Sequence, residues 1–539
     1  MTQTQKSFPV VKEQERITPI IARPDICVVG SGPAGIGAAI AAARLGAKTL
    51  LIERYGFVGG NLTMAMVNPM FTFHDIHGRQ VIRGIAGEFV QRLILGGASH
   101  GHLTDLTFDN ASMTPFDPEG TKVLLFNMLE EAGVQILLHS LLVGVQTEPD
   151  ENVPTHEGAE GASEGTLAEA AQGTTERARN RNGSKITTLF IENKSGRQAI
   201  CPHYVIDCSA DADVVARAGA PFVKGRESDG TMQPATLYFR IGNVHNAKLR
   251  SWMKTNRHLL KDSPTDDEID SQKAIAFLGM NDRIKAAKER GELDQEIAPR
   301  ILMYQLPAEG QFSVNTTRLQ NVDGTDIFDL TRAEILLRKQ VLQIHGFLKR
   351  EVSGFEKSHI IDTGLHAGIR ETRHIAGDYT LTETDVLNGA AFEDGICCGT
   401  FAIDIHPPKG EAQIFTGSGK AVYEIPYRCL LPQGLDNLLV AGRSISATHT
   451  AFGSARVMAT AMAIGEGAGT AAALANAYGC TSRAVNIKLL RSQLIKQGQY
   501  LLNENIEPLD DKSLILKRNQ GSGERAGHYN PFAGKEPTS

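Results

Sequence analysis

No two of the seven cysteines are spaced as C-x-x-C. Zinc ribbons, iron–sulfur clusters and thioredoxin-type redox centres are therefore not expected. C-x-x-x-x-C is missing as well, which argues against disulfide reductase chemistry. The adjacent pair Cys397 and Cys398 reads as small residues in a packed segment. Scattered thiols fit a reducing compartment, so a cytoplasmic location is expected. There is no long block of lysine or arginine, and the net charge is −6, so nucleic acid is not an expected partner. The N-terminus lacks a cationic start followed by an apolar core, so no signal peptide is expected. Long leucine-rich runs are also missing. Residues 455–477 are apolar, but they carry Arg456 and Glu466 and consist mostly of alanine and glycine. That composition predicts a buried helix rather than a membrane span. His74, His77, His100 and His102 have no metal-ligand spacing. Asp207, Asp211 and Asp213 suit strand ends and helix caps, so no metal site is expected.

What is present is a long chain of ordinary composition. Its 539 residues, 41% hydrophobic and 22% charged, call for more than one core. The most informative stretch is residues 25–53. Residues 26–29 form a short apolar run suited to a buried parallel strand. Gly30, Gly32 and Gly35 follow as G-x-G-x-x-G. The first permits a tight turn, the second lets a pyrophosphate approach the backbone, and the third lets the helix lie close on the sheet. The helix N-terminus offers amides and a dipole to a diphosphate. Residues 49–52 make the second strand, and Glu53 closes it with a carboxylate able to accept from ribose hydroxyls. Strand, turn, helix, strand and acid together predict a dinucleotide site. Glu53 would repel a 2′-phosphate, which leaves NAD or the ADP half of FAD.

Further along, Gly59 and Gly60 form a second glycine turn ahead of Asn61. Helices are predicted over 84–95 and 122–132, and residues 134–146 are strand-like. Residues 148–185 hold few large apolar groups and read as a disordered insertion in a hairpin loop, whose partner strands resume at 186–192 and 196–201. A short buried strand is predicted at 204–208. Strands are expected at 236–241, 302–306 and 311–317, with charged helical sequence over 252–292. Thr331 is expected to cap a helix reaching 352, and residues 359–373 alternate. A last buried strand at 437–441 leads through a loop into the alanine-rich helix. A small helix at 486–497 precedes a polar tail, in which Gly521, Gly523 and Ala526 match G-x-G-x-x-A without a strand before them.

Four segments together resemble the FAD-dependent oxidoreductase family of the glutathione-reductase-like two-dinucleotide fold. They are residues 25–53, residues 53–61, residues 205–211, and residues 439–443 running into 453–456. Residues 368–373 with 377–381 look similar to the same branch. The resemblance implies an α/β fold with a Rossmann-like FAD-binding domain, a parallel sheet with a β-meander, and a discontinuous mixed-sheet α+β substrate domain. The boundaries it suggests begin with a loose leader at 1–24. The FAD domain follows at 25–60, 120–215 and 433–480, the cap at 61–119 and 216–432, and a helix with loose tail at 481–539.

The implied FAD contacts are Gly30, Gly32, Pro33, Ala34 and Gly35, then Glu53, Arg54, Gly59, Gly60 and Asn61. Val143, Asp207, Ser209, Gly442, Arg443, Gly453, Ser454 and Ala455 complete the set. Two motifs depart from the family pattern. Residues 208–210 are Cys-Ser-Ala where Ala-Thr-Gly is common, and Gly442-Arg443 replaces Gly-Asp, so Arg443 is expected to pair with phosphate. A helix N-terminus near Gly453 would stabilise the negative charge of reduced flavin.

His449 is a candidate acid–base group. Arg370 is a candidate to hold a substrate carboxylate or steady the flavin anion, against a structural ion pair with Glu371 or Asp378. The expected activity is hydride transfer between FAD and a small organic substrate. An NAD(P)H-dependent monooxygenase and an electron-transfer flavin subunit are the alternatives. The electron donor or acceptor is left open, and so is assembly into a homo-oligomer.

Overall fold

In the computed structural model, residues 10–108, 110–149, 183–406, 414–416 and 421–502 are described. The run Ile26–Val29 is the central strand of a five-stranded parallel sheet, with all four residues buried. Tyr204–Asp207 and Thr49–Ile52 flank it. Leu438–Val440 lies outside the former and Gln135–Leu137 outside the latter. A parallel sheet covered on both faces demands such near-continuous apolar strands. One face carries the helices Pro33–Arg44 and Met458–Tyr478. The other packs on a four-stranded sheet ordered Ile20–Ala22, Gly196–Ile200, Ser184–Asn193 and Leu141–Pro149. Three of its strands form the expected meander.

The helices Pro33–Arg44 and Met458–Tyr478 meet backbone to backbone. A Cβ on Gly37 would fall 2.2 Å from the carbonyl oxygen of Met462, and one on Gly469 would fall 2.1 Å from that of Ala38. The alanine and glycine composition of both helices is what allows this approach.

A second five-stranded sheet is antiparallel throughout, ordered Ala276–Gly279, Ile301–Gln305, Phe312–Val314, Phe239–Gly242 and His359–Thr363. Helix Ile327–Glu351 covers it through Leu337, Val341, Ile344 and Phe347. Asp326, not Thr331, caps this helix, accepting from the amides of Phe328 and Asp329 at 2.8 and 3.0 Å. Thr331 instead donates to the carbonyl of Ile327 from inside the first turn.

Other expectations shift in the folded chain. Residues 134–146 divide at His139, where φ is +51°, into two strands that join different sheets. Strand Ala276–Gly279 interrupts the helical reading of 252–292. The supposed leader ends in strand Ile20–Ala22, paired with Gly196–Ile200. Helix Gly84–Leu95 and the strand pair Gly395–Gly399 and Tyr423–Pro426 share a core with Pro33–Arg44 and Met458–Tyr478, although the sequence placed them in the cap. No change of composition marks that allegiance; it follows from which helix their apolar faces cover. Residues 150–182 of the expected insertion and the tail beyond 502 lie outside the described residues.

The alanine-rich segment is two helices, not one. His449–Ala455 and Met458–Tyr478 are bent by 92° at residues 456–457. Among the described residues, no single helix is long and apolar enough to cross a membrane.

Candidate active site

The glycine turn follows from close contacts on two sides and open space on the third. Gly30 has φ +97°, and a Cβ there would fall 2.5 Å from the carbonyl oxygen of Cys208. A Cβ on Gly35 would fall 1.9 Å from the carbonyl oxygen of Gly30, so helix and strand touch there. A Cβ on Gly32 would meet nothing within 4 Å. Gly32 is also the N-cap of helix Pro33–Arg44, with no side chain capping the first amides. Uncapped amides facing open space, with Pro33 and Ala34 opening the helix, suit the diphosphate of a dinucleotide.

Glu53 is 6% exposed. Its Oε2 accepts from the amide and hydroxyl of Ser31 at 2.9 and 2.6 Å, and Oε1 accepts from the amide of Tyr55 at 3.0 Å. Each carboxylate oxygen has more than one acceptor site, so Oε1 keeps capacity for a ribose hydroxyl. Arg54 is exposed and stacks its guanidinium over Tyr55 at 4.9 Å. Gly59 has φ +116°, and its amide donates to the carbonyl of Ser31 at 2.9 Å. A Cβ on Gly60 would lie 2.7 Å from the Cα of Gly32, so the second glycine turn sits on the first. Val143 lies where the pairing of Leu141–Pro149 with Ser184–Asn193 shifts register.

A cavity of about 270 Å³ opens beside this turn. Asn61, next to Gly60, and Arg443, next to Gly442, line one side of it, with Val457 and Met458. Gly442 in turn sits against Ala34 at the start of the first helix. The opposite side comes from the antiparallel sheet and its loops, including Tyr238, Tyr304 and Arg370, and from Asp404 and His406 on and beside the separate strand Ile403–Ile405. The cavity therefore joins the glycine-turn region to the second sheet.

The helix end facing the cavity is that of Met458–Tyr478, not one near Gly453. No side chain caps it, and the Thr460 hydroxyl in its first turn is fully buried with no hydrogen-bond partner. Gly453, Ser454 and Ala455 belong to the preceding short helix. None of the three lines the cavity; the Ser454 hydroxyl meets the Tyr423 hydroxyl at 2.7 Å and donates to the carbonyl of Phe401. Asp207 and Ser209 are also turned away. Asp207 accepts from the amide and hydroxyl of Ser209 and from the amides of Val214 and Val215. Burial nevertheless raises its pKa to about 6. Arg443 pairs with Asp211 and donates to the carbonyl of Ala210.

Of the two candidate catalytic residues, one lines the cavity. Arg370 does, and its hydrogen bonds run from Nη1 alone, to the carbonyl of Pro234 at 2.7 Å and the hydroxyl of Thr236 at 2.5 Å. It pairs with neither Glu371 nor Asp378; the latter binds Arg483. Burial, reinforced by the neighbouring charge of Arg456, lowers its pKa to about 10. Arg373 points the other way, to Asp213 at 3.1 Å.

His449 does not line the cavity. Its Nδ1 lies 2.8 Å from Oε1 of fully buried Glu371, which His374 Nε2 also approaches at 3.2 Å. Burial would raise the Glu371 carboxyl, but these two histidines outweigh it and hold it at about 2. Neither Glu371 nor His374 lines the cavity either.

Sequence reasoning missed two further titratable groups that reach the cavity. Asp404 and His406 sit two apart around strand Ile403–Ile405, so they share a face. His406 Nε2 lies 3.1 Å from Asp404 Oδ2, and Arg456 Nη2 lies 3.1 Å from the same oxygen. Burial would raise Asp404, but His406 and Arg456 hold it well below the usual carboxylate range. Burial lowers His406 to about 4 against the pull of Asp404. Burial raises Tyr238 to about 12, partly offset by Arg370 and Arg456. A period-2 Asp and His in an apolar strand was the available signal.

The residues present fit FAD. An open Gly32 cradle, a ribose-accepting Glu53 and an uncapped helix end with an unpartnered buried hydroxyl offer places for diphosphate, ribose and the flavin's electron-rich edge. Comparison with known proteins agrees. The family model described as "FAD dependent oxidoreductase" matches residues 25–494. Dihydrolipoyl dehydrogenase of Trypanosoma brucei brucei is 37% identical over 79 residues, 13% of this chain and 16% of that protein. The mitochondrial dihydrolipoyl dehydrogenase of Cricetulus griseus is 42% identical over 69 residues, 11% of this chain and 14% of that one. The chain thus spans 14% to 16% of the length of these two curated relatives.

Two solved structures are similar over much of their length. One is a geranylgeranyl bacteriochlorophyll reductase-like protein of Thermoplasma acidophilum, 12% identical, covering 89% of this chain and 84% of that one, TM-score 0.38. The other is p-nitrophenol 4-monooxygenase of Pseudomonas putida, 9% identical, covering 93% of each chain, TM-score 0.38. With a matching family model over nearly the whole described region, the chain belongs to the FAD dependent oxidoreductase family, and FAD is the cofactor that membership implies.

Proposed function

We propose that the protein transfers a hydride between FAD and a small organic substrate seated in the cavity between the glycine-turn region and the antiparallel sheet. The observation that carries this is the cavity's lining, which joins Asn61, Arg443 and Met458 to Arg370, Asp404 and His406. When bound, FAD supplies the hydride chemistry; the chain supplies binding, orientation and a proton route.

His406 is the group suited to hold that proton. Its low pKa keeps the imidazole neutral near pH 7. Ionised Asp404 accepts from Nε2, which leaves Nδ1 as the acceptor nitrogen. A neutral imidazole oriented by a carboxylate is available at pH 7 to accept a proton leaving a C–OH or C–N centre, although at about 4 it is a weaker base than a free histidine. Arg370 orients the substrate, and the uncapped helix start at Met458 would favour negative charge developing on a bound flavin.

Anaerobic mixing of the yellow holoprotein with candidate substrates tests the reading. Bleaching of the flavin band by an organic substrate alone supports it. Bleaching only by NAD(P)H points to a reductase or monooxygenase, and purified protein unable to retain FAD refutes it.

A further inference from the structure

The cavity lining combines aromatic and charged side chains. Phe71, Phe108, Phe415 and Phe401 close a ring of aromatic contacts. Successive centroids lie 6.3 Å apart from Phe71 to Phe108, 5.3 Å from Phe108 to Phe415, 6.2 Å from Phe415 to Phe401, and 5.8 Å from Phe401 back to Phe71. All four line the cavity. Tyr304 adds a fifth ring, 5.9 Å from Phe71 and roughly edge-on to it. Rings spaced this way present both faces and edges to a flat apolar body.

Charged side chains share the same lining. Arg456 and Asp404 neutralise each other. His406 is held neutral by burial. Arg370 has only a carbonyl and a hydroxyl as partners and no ion-pair partner among the described residues. Its guanidinium uses one nitrogen for those bonds, which leaves Nε and Nη2 as a parallel donor edge. Arg300 and Arg318 line the same cavity, and Arg300 already lies over the Phe108 ring at 5.5 Å.

An aromatic ring of this kind attracts cations in isolation. Here the guanidiniums decide the matter, because a second cation would be repelled in a setting that screens charge poorly. A guanidinium edge with two free donors matches a carboxylate, which binds it bidentately.

From this geometry we infer that the substrate is a planar or aromatic carboxylate: its body lies among Phe71, Phe108, Phe401 and Phe415, and its carboxylate pairs with Arg370. The inference rests on the flavin-dependent reading above and narrows its substrate class. It also accounts for the division of labour at the site. Arg370 is anchored through Nη1 and presents a fixed donor edge, so it sets the substrate's register while His406 is left to handle the proton.

The test titrates the FAD-loaded protein with phenylacetate, with phenylacetamide as its neutral counterpart, and with acetate as the carboxylate lacking a ring. Binding is read by the change in the visible flavin spectrum and by calorimetry. Phenylacetate is expected to bind at least tenfold tighter than either of the others. In Arg370→Met its affinity should fall to that of phenylacetamide, while phenylacetamide binding stays unchanged, which shows that the variant is folded. Arg370→Lys should restore part of the preference.

Equal binding of phenylacetate and phenylacetamide, or binding of neither, overturns the inference. So does a preference that survives in Arg370→Met; spare positive charge that served only the reduced flavin would alter the ease of reduction and leave that preference in place. Failure of the functional reading looks different, because it appears as protein that does not retain FAD before any titration begins.

Discussion

Gly465 lies so close to Ala34 that a Cβ on it would fall 1.9 Å from the Ala34 carbonyl oxygen. The contact is backbone on backbone, so no side-chain rotation can relieve it. Ala34 also opens the helix that follows the glycine turn, which ties the helix packing to the cofactor site. Gly465→Ala is expected to push the two helices apart, cost about 3 kcal/mol or more, and weaken FAD retention at the same time. Urea unfolding together with the bound flavin fraction checks this; an unchanged midpoint would refute the tight packing.

The three glycines of the turn should respond differently to the same substitution. Gly32→Ala has room for its Cβ and an ordinary φ of −66°, so the protein should fold normally and fail to hold FAD. Gly35→Ala collides with the Gly30 carbonyl and should destabilise the fold itself. Circular dichroism beside flavin content separates the two outcomes. Retention of FAD by Gly32→Ala would remove that position from the diphosphate site.

His406 and His449 make opposite predictions. His406→Asn should slow anaerobic flavin reduction by roughly 10²–10⁴-fold and leave stability nearly unchanged. In the wild type the rate should fall as pH drops through about 4, because His406 then becomes protonated and can no longer accept. His449→Ala should leave the intrinsic reduction rate of folded protein largely intact. It removes a partner of buried Glu371 and should lower stability by about 3 kcal/mol. Stopped-flow absorbance and a pH-rate profile settle which histidine handles protons.

Glu466 sits mid-helix, wholly buried, with its carboxyl pushed up to about 7 by burial. The Ile85 amide and the Gln499 side chain both donate to Oε2, while Oε1 has no partner. Its folded pKa lies above the ordinary glutamate value, so ionisation costs stability that is intact below about pH 4.5 and lost as pH rises through about 7. Glu466→Gln keeps an acceptor for both donors and carries no charge. It should therefore raise stability at pH 8 by up to about 3 kcal/mol and change it little at pH 4.5. Equal effects at both pH values would show that the carboxyl is not strained.

Much of the cofactor region was legible because the chemistry there is local. Residues 26–53 spell strand, turn, helix, strand and acid in sequence, and each piece falls where its composition puts it. The site opposite was much less legible. Asp404 and His406 matter because their strand closes against a cavity built from distant segments, and nothing nearby in sequence announces that. The break at residues 456–457 was hidden for a related reason. No proline or glycine stands there; Arg456 turns to Asp404, and the helix restarts at Met458. His449 looked catalytic because it lies in the loop before the helix, but that loop turns its imidazole toward Glu371.

The strand order of the parallel sheet also sets a schedule for synthesis. Tyr204–Asp207 gains its outer neighbour only when Leu438–Val440 has been made, and the first helix gains Met458–Tyr478 later still. At ~5–20 residues per second, that sheet edge stands open for on the order of ten to fifty seconds on the ribosome. An exposed apolar edge invites pairing with another chain. Chaperone demand should therefore peak late in translation, and a chain halted before residue 438 should aggregate rather than wait for cofactor.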